Sequence, residues 1–128
     1  MHTKILMSLS ALFMAVVGLA ASFMPKEILI YAGAWDEGFE VFLMQVLGAL
    51  YLGFAMLNWI ARASLIGGTY SRPVVMGNFT HFVVVAVTLI KALLAGFHST
   101  EVVLGVAAYT LFASWFGAVL FLPPQKNK

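Results

Sequence analysis

Charge is scarce in this sequence. Only 9% of its 128 residues are Asp, Glu, Lys or Arg, while 62% are hydrophobic. Soluble domains carry about 25% charged residues, so this chain lacks the polar side chains to cover a globular surface. A soluble enzyme, a nucleic-acid binder and a disordered chain are thereby excluded. Cysteine is absent altogether. Its absence removes thiol–disulfide exchange, thiolate nucleophiles, Fe–S clusters and Cys-zinc sites. Neither a P-loop nor a zinc motif occurs.

What fills the chain instead is four apolar runs, at about 4–24, 39–61, 74–96 and 102–122. Each reaches the roughly 20 residues a helix needs to cross a bilayer core. Helices satisfy their own backbone hydrogen bonds, and none of the runs alternates polar and apolar residues as a barrel strand does. The expected fold is therefore all-α, a single integral membrane four-helix bundle over residues 1–128. Pro25, Gly67, Gly68, Pro73 and the pair Pro123–Pro124 punctuate the runs where helices should stop. The first run has some features of a signal peptide, with Lys4 ahead of it and small residues at Gly18, Ala20 and Ala21. Its core from Ile5 to Ala21 exceeds the usual apolar region of about 7–15 residues, so it reads as a span.

Basic residues set the orientation. Lys4, Arg62, Arg72, Lys126 and Lys128 fall on one side of a four-span chain, and Lys26 and Lys91 toward the other. The positive-inside rule then gives N-in and C-in, in a bacterial plasma membrane. The carboxylates Glu27, Asp36, Glu37, Glu40 and Glu101 gather outside. Between the first two spans, Pro25–Tyr31 has Pro and an acid in a first helical turn and an apolar run ending near Gly33, which predicts a short helix lying in the outer interface. Ser99 with Glu101 predicts a capped start for the last span.

No carboxylate lies within a span, so the embedded acid expected of a proton-coupled small multidrug exporter is missing. His81 and His98 are not placed as a haem pair, and no metal site or cofactor is implied. Catalysis would need an acid–base pair that the spans do not supply, so the chain reads as non-enzymatic. Strongly polar side chains in lipid are costly and are candidates for function. Asn58, Trp59 and Arg62 end the second span, Arg72 closes the loop before the third, and Asn78 and His81 follow within about 10 Å along the third helix. Two guanidiniums suit a phosphate or carboxylate, the amides and imidazole supply neutral hydrogen bonds, and Trp59 an apolar wall. This layer is expected to bind a lipid-like or amphipathic small molecule, or to serve a larger membrane complex as an accessory subunit. The alternative is a small oligomeric transporter or channel. Thr80, His81, Thr88 and Lys91 share an arc of about 100° on the third span, as a solute path would require. Gly18 with Ser22, Ala49 with Gly53, and Ala113 with Gly117 are spaced to let helices approach closely, within the bundle or in a homo-oligomer. Val46-Leu47-Gly48 and Val103-Leu104-Gly105, followed by Phe54-Ala55 and Phe112-Ala113, hint at a parallel repeat.

The stretch from Leu47 to Trp59, then Gly67-Gly68, then Arg72 to Phe82 (Arg-Pro-Val-Val-Met-Gly-Asn-Phe-Thr-His-Phe), resembles small bacterial four-helix proteins grouped with the DoxX-like membrane proteins. The resemblance covers spans two and three. It implies an N-in four-helix bundle in a bacterial plasma membrane and an association with redox or accessory membrane complexes, and it transfers no catalytic residue.

Overall fold

The structure is a computed structural model, and it describes residues 3–34, 38–63 and 72–122. Among these residues there are five helices: α1 Thr3–Phe23, α2 Pro25–Tyr31, α3 Phe39–Ala61, α4 Arg72–Leu94 and α5 Thr100–Phe121. The four of 21 to 23 residues are long and apolar enough to cross a membrane. The chain divides into two compact units, Met7–Ala63 and Met1–Leu6 with Ser64–Lys128.

Local sequence explains the helix ends. The spans expected at about 4–24 and 102–122 form as Thr3–Phe23 and Thr100–Phe121, and the second span keeps its expected limits. The third starts two residues early, at Arg72, because Pro73 is tolerated in a first turn whose N–H groups have no intrahelical acceptor. It stops at Leu94 because Gly96 is the cap and not part of the helix. Gly96 has φ +102°, its N–H donates to Leu93 O, and the Phe97 N–H donates to Ala92 O. That pair of bonds satisfies the last carbonyls and needs a residue without a Cβ. The expected helix after Pro25 forms, and Gly33 closes it in the same way, with Gly33 N–H to Ile30 O and Ala34 N–H to Leu29 O. Ser99 caps α5, its Oγ accepting from the Val102 N–H at 3.3 Å.

In the first unit α1 and α3 run antiparallel at very close range. A Cβ at Gly18 would lie 2.9 Å from the Leu52 backbone N and 3.0 Å from Gly48 O. One at Gly48 would lie 2.7 Å from the Ser22 backbone N and collide with Ser22 Oγ. Without a Cβ at either position the backbones meet, and this gain in dispersion contact holds helices together where lipid removes the hydrophobic drive. The expected Gly18–Ser22 pair is thus used, but Ala49–Gly53 is not. Ala49 is exposed and nothing lies within 4 Å of a Cβ on Gly53. Gly48, one residue and 100° around the helix from Ala49, faces α1 instead.

The second unit pairs α4 with α5, also antiparallel, through rings. Phe82 has no exposed surface and stacks on Phe112 at 4.9 Å and Phe116 at 5.6 Å between centroids. Phe79 meets the ring of Phe121 edge-on at 5.5 Å and lies 3.1 Å from where a Gly117 Cβ would stand. The hint of a repeat gains residues here. Tyr51-x-x-Phe54-Ala55 on α3 and Tyr109-x-x-Phe112-Ala113 on α5 present Tyr and Ala as buried residues, each within its own unit.

Candidate functional site

Each expected polar residue has a definite place. Asn58 has no exposed surface. Its Nδ2 donates to Ser10 Oγ at 3.1 Å and lies 3.8 Å from Met14 Sδ. The Ser10 hydroxyl in turn donates to Met7 O at 3.1 Å. Four residues along, Arg62 turns to a different neighbour, its Cζ 3.1 Å from the centroid of the Trp59 ring. That is cation–π geometry, and it binds the guanidinium to a half-exposed indole.

On α4, Asn78 is fully buried and its Nδ2 donates to Val74 O at 2.9 Å, one turn back. His81 is half-buried, with its ring 5.2 Å from that of Phe82 and 6.1 Å from that of Tyr109, and its Nε2 is enclosed. Thr80, Thr88 and Lys91 are exposed, and the Thr88 hydroxyl donates to Val84 O at 2.8 Å. These three members of the stripe therefore lie on the outside of α4, apart from the seam of Val75, Asn78, Phe82 and Ala86, while the fourth, His81, is turned partly inward toward Tyr109. Gly67 and Gly68 lie outside the described residues.

One concavity joins a charge to an apolar wall. Arg72 and Pro73 in the first turn of α4, Met76 one turn on, and Leu120 and Phe121 at the end of α5 line an open groove of about 510 Å³. Met76 and Phe121 are 47% and 69% exposed, so its flank is open to the side. Sequence reading selected Arg72 but not Met76, Leu120 or Phe121. The pairing of α4 with α5 is needed to find them. Ser10 was also passed over, although it begins a row of four-residue spacing, Ser10–Met14–Gly18–Ser22, that faces α3.

Among the described residues, no group of three or more His, Asp or Glu is placed to hold a metal ion. The four long apolar helices make this a multi-pass membrane protein. No family model, no curated protein and no solved structure matches the chain.

Proposed function

We propose that the protein is a non-catalytic member of the small DoxX-like group, a four-helix bundle held N-in and C-in in a bacterial plasma membrane, with α2 on the outer interface. Its role is to bind a lipid-like or amphipathic small molecule at the arginine-bearing end. The observation that supports this reading is the groove of α4 and α5, which offers one permanent cation, Arg72, and four apolar neighbours. A ligand that is charged at one end and hydrocarbon at the other matches that lining. Asn78 and His81 lie further along the same helix, and Asn58, Trp59 and Arg62 end α3; none of these five is among the residues that line the groove.

Native mass spectrometry of the protein purified in mild detergent tests the reading. The intact chain should carry a small amphiphile, and Met76→Trp, which fills the groove, should lose it. Equal retention by both proteins would overturn the proposal. Recovery of a stoichiometric protein partner with no amphiphile would instead favour an accessory subunit. The transport alternative draws support from the exposed row of Thr80, Thr88 and Lys91 on α4, which a second copy would have to enclose.

A further inference from the structure

We infer that the occupant of the Arg72 groove is an anionic glycerophospholipid of the surrounding leaflet, with its phosphate on Arg72 and the start of an acyl chain over Met76, Leu120 and Phe121. This inference rests on the amphiphile-binding reading above and gives it a chemical class. Four observations lead to it.

The lining is one guanidinium and four apolar side chains, Pro73, Met76, Leu120 and Phe121. A multiply polar metabolite would lose hydration at each further polar group without regaining a partner. A phospholipid has a single anionic group joined directly to hydrocarbon. The guanidinium fork can hold a phosphate by two parallel N–H···O bonds, which a point-like ammonium cannot.

Position agrees with composition. Arg72 is the first residue of α4 and Phe121 the last of α5, so the groove lies where the apolar spans stop. Its polarity changes from charged to apolar along the helix axis, in the same sense as a lipid passing from headgroup to chain. Met76 and Phe121 leave the flank open, so a lipid can enter sideways without crossing water.

Charge complementarity favours an anionic headgroup over a zwitterionic one. Among the described residues, Arg72 is the sole charged residue lining the groove, and it is a cation. A choline headgroup would bring its own cation toward the same region and weaken the attraction.

The other arginine supplies the contrast. Arg62 lies 3.1 Å over the Trp59 ring, where the pair forms an amphipathic anchor of the sort that fixes a helix end at an interface. The two arginines therefore have separable tasks.

The test uses the full chain in nanodiscs of phosphatidylglycerol or phosphatidylcholine with identical acyl chains, followed by release into mild detergent and native mass spectrometry. The wild type should retain phosphatidylglycerol in preference to phosphatidylcholine. Arg72→Gln should lower that retention about tenfold, as loss of a charged hydrogen-bond donor does, Arg72→Lys should keep part of it, and Arg62→Gln should keep nearly all. Equal loss in Arg72→Gln and Arg62→Gln would overturn the inference, because it would reduce the effect to net charge. So would equal retention of the two lipids, even where Met76→Trp still expels an amphiphile and the broader reading survives. Displacement of the lipid by millimolar inorganic phosphate would also overturn it and assign the site to a free anion. Should Arg72→Gln not fold, Met76→Trp with Arg72 intact must still release phosphatidylglycerol.

Discussion

Asn58 on α3 and Ser10 on α1 are joined by a hydrogen bond of 3.1 Å, and neither has any exposed surface. Ser10 Oγ accepts from the amide and its own hydroxyl donates to the Met7 carbonyl, so the pair ties two helices and one backbone group into a single hydrogen-bonded chain. In a membrane-spanning segment such a pair serves chiefly to fix register, since its net energy is modest while the cost of misplacing it is not.

Ser10→Ala should therefore destabilise the protein by about 1 kcal/mol, because the buried hydrogen bond from the Asn58 amide to Ser10 Oγ is lost. In a double-mutant cycle with Asn58→Leu, the coupling should fall near the 0.6 to roughly 1.7 kcal/mol known for such bonds in membrane proteins. Reversible unfolding in mixed detergent micelles measures it. Strict additivity would show that the two residues act independently.

Gly48 and Gly53 lie on the same helix, yet alanine should affect them in opposite ways. A Cβ at Gly48 would press on the Ser22 backbone and on Gly18 O, neither of which can swing aside. Overpacking of this kind costs about 1–3 kcal/mol. At Gly53 nothing lies within reach, so Gly53→Ala should be neutral or gain up to about 1 kcal/mol from helix propensity. Thermal denaturation of the two variants side by side decides the matter.

Much of this fold is visible in the sequence, for a reason that also limits what can be read. Bilayer thickness demands four apolar runs, and the turns at Ser99 and Gly33 follow from local backbone chemistry, so the helices emerge directly, although Gly96, expected inside the third span, caps it instead. Helix pairing does not. A span is apolar toward its neighbour and apolar toward lipid, so the periodicity that marks a buried face in a soluble helix is lost. The spacing on that span pointed to Ala49 and Gly53, and only the partner helix shows that Gly48 makes the close approach instead. The same blindness hid Met76, Leu120 and Phe121 around Arg72. Asn58, Asn78 and His81 were conspicuous because polar groups stand out in lipid, whereas Ser10, small and weakly polar, did not.

Phe82 is the centre of the α4–α5 seam, in contact with the rings of Tyr109, Phe112 and Phe116. Phe82→Ala should cost about 3–5 kcal/mol, the range for emptying a fully buried aromatic site. Phe121→Ala, at an exposed position with the single Phe79 edge contact described above, should cost well under half as much. Detergent-unfolding midpoints for the two variants test the ranking, and a larger loss from Phe121→Ala would reverse it.

Orientation yields the last expectation, and the absence of cysteine makes it straightforward to test. Ala63 and His98 are exposed residues just beyond the ends of α3 and α4. If the proposed N-in, C-in insertion holds, Ala63→Cys should react with a membrane-impermeant maleimide only after the cells are opened. His98→Cys should react in intact cells. Five cations against two make this the favoured insertion, and replacing both Arg62 and Arg72 by Glu should weaken it until a fraction of the chains inserts the other way. Labelling of Ala63→Cys in intact cells, in a chain otherwise unaltered, would invert the whole arrangement and put the Arg72 groove in the outer leaflet.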